Sequence, residues 1–431
     1  MAWRWSLLAV FLIALLLGPL VGALLSTLSM TGLAVNATEK HATEKHPKQP
    51  LAALQPLIDA TPPGGTLRLA PGRYAGPVRI DRPLVLDGGG QAVIDGEGKG
   101  TVIALAGRGI TLRGLIITGS GDSHDSTDAG MLIEGSEHRI EDNRFENVLF
   151  GLHLKQSTGV RVTNNEVVGK DLSLGMRGDA VRVWNAQSNR VDGNRFRRVR
   201  DMTFINSPDN VITRNHFVDG RYGMHIVFSP RLLVENNVLS HTGTGIVVLY
   251  SRDLVVRGNR VEHALTGGGA GIVFKESDAA LVENNEVLHC SVGMKVDAPP
   301  EPVGVLNVRN NRLAHNIIGL FFYGEAGGHT FENNRFQNNL TTVAVSAPGA
   351  GAANVWRGNY WDDYQGFDRD RDGRGDTPHE VWIHADRIWM ETPMATFFRS
   401  SPVLELLDFL ERLAPFSAPH RVLRDVSPRM N

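Results

Sequence analysis

Cysteine is almost absent from this chain: Cys290 is the only one among 431 residues. A single cysteine cannot form an internal disulfide, so packing and hydrogen bonding must stabilise the fold. A strong charge of one sign is also lacking, because the formal net charge is only −2, which argues against a nucleic-acid partner. No glycine-rich loop ends in Gly-Lys-Ser/Thr, so the sequence excludes P-loop ATP hydrolysis by this chain.

The chain contains a short sequence motif that repeats between Arg139 and Tyr360. The motif consists of an apolar residue, a polar residue, a spacer, an asparagine, another spacer and an apolar residue, as in residues 140–145 and 191–196. The asparagine recurs at intervals of 21 to 29 residues, most of them near 22. The repeated asparagines are Asn143, Asn165, Asn194, Asn215, Asn237, Asn259, Asn285, Asn311, Asn334 and Asn359.

A period of this length with short alternating apolar runs is typical of a solenoid whose repeats stack on one another. The alternation indicates strands, and repeats this short leave no room for a helix between them. The sequence therefore predicts an all-β, right-handed parallel β-helix with an internal asparagine ladder, in which each side-chain amide bonds to the neighbouring coils. A β-sandwich gives no reason for the repeated asparagine. The longer intervals, before Asn194, Asn285 and Asn311, predict insertions on one face.

The two ends of the chain differ from the repeats. Residues 1–37 contain an apolar run and are predicted to be a secretory signal, with an uncleaved membrane anchor as the alternative. Residues 38–50 are a polar linker, and residues 51–60 are predicted to form a short amphipathic helix that covers the first coil. We expect the β-helix itself to extend over residues 51–365, with short strands from Thr66 onward.

Two segments carry a family resemblance. The Pro-Gly turn in Leu69-Ala70-Pro71-Gly72-Arg73-Tyr74, followed by asparagine-anchored coils, resembles the pectin-lyase-like superfamily. The ending Gly358-Asn359-Tyr360-Trp361-Asp362-Asp363-Tyr364, an aspartate-rich loop and then Ser401-Pro402-Val403-Leu404 resembles the NosD family. The second resemblance extends over nearly all of the exported chain and is most specific in its last part.

The resemblance implies a role as well as a fold. NosD proteins are periplasmic maturation proteins for the copper enzyme nitrous-oxide reductase. The implied partners are the membrane and ATPase subunits of an ABC-type complex, a copper-chaperone lipoprotein and the apo-reductase. A protein similar to this family would lie in the periplasm, associate with the membrane through its partner subunits, handle copper transiently and catalyse no reaction itself.

Residues 366–380 contain a candidate calcium loop. Asp368, Asp370, Asp372 and Asp376 occupy loop positions 1, 3, 5 and 9, and Gly373 occupies position 6. Carboxylate oxygens suit a hard cation, and glycine permits the sharp turn. His379 stands at position 12 in place of the bidentate glutamate, so we expect a partial, structural site. A charged surface loop is the alternative, because three arginines in the same segment can pair with the acids.

A candidate copper track follows the asparagine ladder. Four consecutive repeats place a histidine four residues after the ladder asparagine, and coils lie about 4.8 Å apart, so the imidazoles should stack in one column. Imidazole, thiol and thioether are ligands that copper(I) favours. A requirement for any polar turn residue is the alternative, because Asn147 and Asn338 hold the equivalent position elsewhere. The candidate copper residues are His241, His263, His289, Cys290, Met294 and His315.

An outward row of side chains is predicted after the glycines of the coils. Its upper half is apolar, which favours a protein-contact face, with burial under an inserted loop as the alternative. The row comprises His153, Arg182, Thr203, His225, Val247, Val273, Lys295 and Phe321.

A carbohydrate-active enzyme is the alternative function, because β-helix proteins include lyases, hydrolases and epimerases. Asp179 with Arg182, and Lys275-Glu276 with Lys295-Asp297, have the required chemistry. These groups are scattered over several coils and form no compact motif. Fold similarity by itself does not establish such a function.

The last segment, residues 381–431, leaves the coil pattern. Ser401-Pro402 is a helix start, and apolar residues follow at helical spacing. We predict a helical tail that docks on the membrane subunit, caps the β-helix, or does both. The candidate docking residues are Leu404, Leu407, Leu410 and Leu413.

Overall fold

The computed structural model describes residues 51–297, 304–324, 327–346, 351, 353–383, 402, 406, 409–410 and 420–430. The predicted signal segment and linker lie outside these residues. In the described part of the chain, no helix has both the length and the apolar character needed to cross a membrane.

The described residues form a parallel β-helix, as the sequence predicts. Each coil contributes short strands to three parallel sheets, and each strand pairs with the equivalent strand of the next coil. The first sheet precedes the ladder asparagine, the second follows it, and the third completes the coil. Antiparallel pairing of strands occurs between the last two strands of the described chain.

The first strands are β1 (Ala52–Ala53), β2 (Thr66–Arg68), β3 (Gly72–Ala75), β4 (Val78–Ile80), β5 (Val85–Asp95), β6 (Ile103–Leu105), β7 (Thr111–Thr118) and β8 (Ala129–Ser136). Next come β9 (Arg139–Glu141), β10 (Arg144–Val148), β11 (Phe150–Thr158), β12 (Arg161–Thr163), β13 (Glu166–Gly169), β14 (Val181–Trp184), β15 (Arg190–Asp192), β16 (Arg195–Arg197), β17 (Asp201–Ile205) and β18 (Val211–Thr213). The central coils contain β19 (His216–Val227), β20 (Leu233–Glu235), β21 (Val238–Leu249), β22 (Val255–Arg257), β23 (Arg260–Glu262), β24 (Ala270–Lys275), β25 (Leu281–Glu283), β26 (Glu286–Leu288) and β27 (Val292–Asp297). The last strands are β28 (Asn307–Arg309), β29 (Arg312–Ala314), β30 (Ile318–Tyr323), β31 (Thr330–Glu332), β32 (Arg335–Gln337), β33 (Thr341–Val345), β34 (Val355–Arg357), β35 (Tyr360–Trp361), β36 (His379–Ile383) and β37 (His420–Asp425). The helices are α1 (Gln55–Ala60) and a 3-10 turn at Leu174–Met176.

The asparagine ladder is present and continuous. Oδ1 of Asn165 accepts hydrogen bonds from the backbone N–H and the Nδ2 of Asn143, both at 3.0 Å. Nδ2 of Asn165 donates to Oδ1 of Asn194 at 3.0 Å and to the carbonyl of Ile140 at 2.8 Å. The asparagines from Asn194 to Asn334 repeat these contacts, and all ten side chains are buried. The ladder therefore satisfies the polar groups of the turn inside an otherwise apolar core.

The ladder ends on a carboxylate. Oδ2 of Asp425, in β37, accepts hydrogen bonds from the backbone N–H and Nδ2 of Asn359, both at 2.9 Å, and from Nε1 of Trp361 at 3.2 Å. Oδ1 of Asp425 accepts from the backbone N–H of Gly358 at 3.1 Å. The last rung needs only acceptors, and an ionised carboxylate supplies nothing else. Part of the segment predicted as a docking tail thus caps the β-helix, which is one of the two roles the sequence left open.

The N-terminal cap is shorter than the predicted helix. Residues 52–53 form β1, which pairs with β3, and the helix begins only at Gln55. Pro56 explains this start, because proline fits the first turn of a helix but not its interior. The side chain of Gln55 ties the helix to the first coil, donating to the carbonyl of Arg79 and accepting from its backbone N–H.

The prediction that the insertions share one face is wrong for one of them. The loop at residues 170–178 and the loop at residues 265–269 both lie at the corner between the second and third sheets. The loop at residues 119–128 lies at the same corner and contacts the first of these, because Nζ of Lys170 donates to the carbonyl of Ser120 at 2.7 Å. The insertion before Asn311 falls in the sequence between β27 of the third sheet and β28 of the first sheet, and residues 298–303 lie outside the described residues.

Replacing one ladder rung should destabilise the protein far more than replacing its neighbour. Asn237→Ala removes the acceptor for two buried donors of Asn215, so we expect a loss of about 3 to 5 kcal/mol in the free energy of unfolding. Asn236→Gly is the matched control, because Asn236 is exposed with φ 55°, and its cost should stay within about 0.5 kcal/mol. Urea unfolding measures both. Equal costs would contradict a stabilising ladder.

Candidate functional site

The four histidines occupy a turn position that the backbone constrains. His241, His263, His289 and His315 have φ values of 53°, 59°, 53° and 58°, in the left-handed region. Asn147 and Asn338, at the equivalent position of other coils, have φ 51°. Asparagine, aspartate and histidine tolerate this conformation better than other residues with side chains. The backbone thus permits histidine here without requiring it.

The imidazole rings stack as predicted. The ring centroids of His241 and His263 are 4.8 Å apart with an interplanar angle of 17°. The distances are 5.4 Å between His263 and His289 and 5.0 Å between His289 and His315, with angles of 10° and 13°. Three of the rings are exposed, and His263 is half-buried. Nδ1 of His263 has no hydrogen-bond partner among the described residues. We call these four side chains the histidine column.

The nitrogens of the histidine column do not converge on one point. Among the described residues, the only group of three potential metal ligands with donor atoms within 4.8 Å of one another is Asp368, Asp370 and Asp372. Parallel rings displaced by one coil each present their nitrogens at a different height. The column therefore offers a series of neighbouring sites rather than one centre with three histidine ligands.

Cys290 and Met294 point away from the histidine column into the core. Both are fully buried. The thiol of Cys290 donates to the carbonyl of Leu288 at 3.3 Å, and its backbone N–H donates to Oδ1 of Asn316 at 2.9 Å. Burial raises the pKa of the Cys290 thiol to about 11. The structure brings the four histidines together and separates these two sulfur ligands from them.

Exposed apolar side chains flank the histidine column. Leu265, Ile317 and Leu340 follow the column position by two residues in their coils, and their exposed fractions are 60%, 52% and 69%. Large aliphatic side chains this exposed along one corner of the solenoid are typical of a protein contact surface.

The outward row of the third sheet is in the predicted register. Strand pairing aligns His153 with Arg182, Arg182 with Thr203, and Thr203 with His225. The row continues through Val247, Val273 and Lys295 to Phe321. It is less exposed than a free contact face, since His153, Thr203 and Val247 are buried and the others are half-buried.

A charged cluster beside this row was missed by the sequence analysis. Arg200 donates to Oδ1 of Asp179 at 3.0 Å, and Arg221 donates to Oδ1 of Asp201 at 3.2 Å. Both aspartates are buried. Burial raises the pKa of Asp179, an effect that the nearby Arg200 opposes. The sequence did contain one signal for this cluster, because arginine recurs at positions 200 and 221, one coil apart. Asp179 and Arg182 therefore belong to a compact cluster rather than to scattered positions.

The aspartate-rich loop is partly assembled. Oxygen atoms of Asp368, Asp370 and Asp372 lie within 4.8 Å of one another. They also accept backbone N–H groups of the same loop, including Gly373 to Asp368 at 3.0 Å and Arg374 to Asp372 at 2.8 Å. Asp376 does not belong to this group of three. Its Oδ2 accepts a hydrogen bond from the backbone N–H of Arg369. Calcium binding by this loop stays a prediction.

The C-terminal docking segment is described only in part. Leu404, Leu407 and Leu413 lie outside the described residues. Leu410 is helical and exposed, as are Leu406 and Phe409. An apolar helical surface at these residues agrees with the predicted pattern, and its docking role stays a prediction.

The fold and the histidine column define the class of protein: it is a parallel β-helix protein with a column of histidines on its surface. A family described as "Periplasmic copper-binding protein (NosD)" matches residues 167–366. A "Probable ABC transporter binding protein NosD" of Pseudomonas aeruginosa is 30% identical over 400 residues, covering 85% of this chain and 88% of that protein. One of the same name from Stutzerimonas stutzeri is 27% identical and covers 81% of this chain and 83% of its own. The chain belongs to the NosD family.

Solved structures resemble the chain in fold alone. The mannuronan C-5 epimerase AlgE6 A-module of Azotobacter vinelandii has a TM-score of 0.53 at 12% identity, covering 70% of this chain and 93% of its own. A mannuronic-acid-specific polysaccharide family 6 lyase from the human gut microbiota has a TM-score of 0.51 at 14% identity, covering 72% and 84%. These likenesses agree with the pectin-lyase-like architecture that the sequence predicts.

Cys290 should resist thiol reagents in the folded protein. Its burial and its pKa of about 11 keep the reactive thiolate scarce and inaccessible at pH 8. We expect iodoacetamide to label the native protein negligibly and the urea-unfolded protein at one site, as mass spectrometry would measure. Rapid labelling of the native protein would contradict this prediction. Cys290 would then be accessible and could act as a copper ligand.

Proposed function

We propose that this chain is a non-catalytic periplasmic protein that binds copper and positions it for assembly of the copper centre of nitrous-oxide reductase. The observation that carries the proposal is the histidine column, with stacked imidazoles at centroid distances of 4.8 to 5.4 Å. Imidazole is a suitable copper ligand. The proposal is supported by the family description as copper-binding and periplasmic and by the resemblance of the chain's ending to that family.

The geometry of the column suits transfer better than storage. Copper is here a substrate that must enter and leave, so a site with few ligands is an advantage. A copper ion bound by one or two exposed imidazoles keeps positions open for a ligand from a donor or an acceptor protein. Because the next ring lies within 5.4 Å, a neighbouring site is always close. Cys290 and Met294 would take part only if the core opened locally.

The proposed partners are those implied by the family. Copper would arrive from a copper-chaperone lipoprotein and pass to apo nitrous-oxide reductase. The exposed side chains of Leu265, Ile317 and Leu340 provide an apolar contact beside the column for such proteins. The relatives are named probable ABC transporter binding proteins, and we propose that this chain also works with ABC-type membrane and ATPase subunits. The segment containing Leu404, Leu407, Leu410 and Leu413 would dock on the membrane subunit.

The absence of catalysis is part of the proposal. An acid–base enzyme needs a carboxylate that is free to exchange a proton with its substrate. Asp179 and Asp201 lie in the charged cluster beside the outward row, and each is held by an arginine. This arrangement favours binding over acid–base chemistry, and it weighs against a polysaccharide lyase, hydrolase or epimerase.

Removing the histidine column should abolish tight copper(I) binding. In a variant with His241, His263, His289 and His315 all changed to Asn, the backbone should be unaffected, because Asn147 and Asn338 hold the same left-handed position. We expect the dissociation constant, measured by anaerobic titration against a chromogenic copper(I) chelator, to rise at least about a hundredfold, equivalent to about 2.7 kcal/mol.

His216→Asn is the matched control, because His216 is exposed in β19 and lies outside the column. The control should bind copper(I) as the unmodified protein does. Equal binding by the unmodified protein and the quadruple variant would contradict the proposal. The histidines would then be only residues that fit a left-handed turn, and copper would have to pass elsewhere.

For the aspartate loop we propose a structural calcium site. At a calcium concentration about 100 times the dissociation constant, binding should add about 2.7 kcal/mol to the stability of this end of the protein. We expect calcium to raise Tm for the unmodified protein and for Asp125→Asn, a control at an exposed aspartate of another loop. The double variant Asp370→Asn with Asp372→Asn should lose the response. If calcium did not change the Tm of the unmodified protein, the calcium proposal would be wrong. The segment would then be a surface loop that its own hydrogen bonds close.

A further inference from the structure

Two arginines on neighbouring coils of the first sheet lie in one outward column without an acidic partner. Arg139 of β9 pairs in register with Arg161 of β12, and both side chains are exposed. Strand pairing brings their backbones to about 4.8 Å from each other. In the described part of the chain, neither side chain forms an ion pair. Like charges at this spacing repel each other, so the arrangement is unfavourable by itself.

Elsewhere the first sheet pairs its arginines with acids of the adjacent coil. Arg113 lies 2.8 Å from Asp87, and Arg257 lies 2.6 Å from Glu235. These pairs occupy the second outward column of the same sheet, where charges of opposite sign meet across neighbouring strands. Two adjacent arginines without such a partner are therefore an exception on this surface.

Arg139 and Arg161 line a cavity of about 430 Å³. Glu137 is also in its wall, but it does not neutralise them, because its two carboxylate oxygens accept hydrogen bonds from Arg108 at 2.6 and 2.9 Å. Two positive charges thus remain uncompensated in a polar cavity. The remaining lining residues are Gly109, Thr111 and Gly159.

Two glycines keep this cavity open. Gly109 and Gly159 hold the turn position two residues before the outward column, with φ 71° and 68°. A Cβ atom at Gly109 would meet no heavy atom within 4 Å, and one at Gly159 would come no closer than 3.6 Å to Glu137. In later coils Asp209 and Asp253 hold the equivalent position at φ 61° and 58°. The backbone therefore accepts an acid here, and the glycines leave space in its place.

The uncompensated stretch of the column is short. The next residue, Arg190, lies 3.6 Å from Asp192 on its own strand, whereas Thr163 holds the corresponding position after Arg161. Val211 follows Arg190 in the column. Two charges over a single interval of about 4.8 Å suit one small group rather than a long polyanion. A single carboxylate would neutralise only one of them.

We propose that Arg139 and Arg161 bind a tetrahedral dianion, namely a phosphate monoester group, inorganic phosphate or sulfate. Such a group supplies two negative charges and oxygens in several directions, so each guanidinium fork can donate to different oxygens. The hydroxyl of Thr111 can donate one more hydrogen bond. We call this site the Arg139–Arg161 pocket. It lies on the first sheet, away from the corner of the histidine column, and does not depend on copper binding.

The test is calorimetric titration of the purified protein at low ionic strength and about pH 8, where phosphate monoesters are dianions. The probes are inorganic phosphate, sulfate and glycerol 3-phosphate. Dimethyl phosphate is the matched control, because it keeps the tetrahedral phosphorus and carries only one charge. We expect saturable binding of the dianions and at least about tenfold weaker binding of dimethyl phosphate.

A second measurement distinguishes a free anion from a lipid headgroup. Phosphatidic acid carries the same phosphate monoester at a membrane surface. Co-sedimentation with phosphatidylcholine vesicles, with and without phosphatidic acid, measures this binding. Binding that requires Arg139 and Arg161 in either arm supports the pocket, and the arm in which it occurs identifies the source of the phosphate.

Variants locate the site. Arg139→Gln and Arg161→Gln should each weaken binding by at least about tenfold, the effect of one charge-assisted hydrogen bond. Arg161→Lys keeps the charge but loses the fork, so its effect should be smaller. Arg68→Gln is the control and should bind normally, because Arg68 is exposed on the first sheet outside the pocket.

Gly159→Asp tests the charge argument from the opposite direction. It supplies the missing acid beside Arg161 at a position where Asp209 and Asp253 show that aspartate fits. We expect this variant to lose dianion binding and to keep the Tm of the unmodified protein. The loss would then come from occupation of the arginines and not from unfolding.

Several results would overturn the proposal. One is the absence of saturable binding of every dianion and of phosphatidic-acid vesicles. Another is equal weakening by Arg161→Gln and Arg68→Gln, which would indicate general attraction to a basic surface. Dimethyl phosphate binding as tightly as inorganic phosphate, or full binding by Gly159→Asp, would also contradict it. Copper(I) affinity should be unchanged in Arg161→Gln, so failure of either proposal is separable from failure of the other.

Discussion

The structure depends on the hydrogen bonding of one buried amide repeated in ten coils. From Asn165 to Asn334, each ladder asparagine accepts two donors from the preceding coil and donates to the following asparagine and to a backbone carbonyl. An amide has both donors and acceptors, so it can propagate such a chain indefinitely, whereas the carboxylate of Asp425 can only end it. This difference explains why the last rung, contributed by β37, is a carboxylate.

The ladder also fixes the functional surface. It sets the register of each coil, so that a residue four positions later falls in a left-handed turn at the same corner. In early coils, inserted loops occupy this corner. In the coils of His241, His289 and His315 the corner is short, in the coil of His263 the loop at residues 265–269 follows the histidine, and all four imidazoles stack. The same alternation that aligns them directs Cys290 and Met294 into the core, so sequence proximity and spatial proximity differ here.

The histidine column and the outward row use the scaffold differently. The histidine column lies on turns, where the side chains are exposed and ligands can exchange. The outward row lies on a sheet face, where His153 and Thr203 are buried and arginines hold the buried Asp179 and Asp201. Exposure suits a labile metal ion, which must enter and leave. A solenoid can carry both, because its coils contact only their neighbours.

The sequence by itself determined the β-helix, the ladder and the stacking of the four histidines, because each follows from a fixed spacing and an alternation of inward and outward side chains. It also placed Arg182 and His225 in one outward row. The tertiary structure decided the rest. The cluster of Asp179, Arg200, Asp201 and Arg221 depends on side-chain directions at a corner, and the capping role of Asp425 depends on a strand that returns over a long loop. Burial of Cys290 and the orphaned Nε2 of His153 depend on neighbouring coils. Contacts between distant residues leave no period in the sequence, and so only the folded chain shows them.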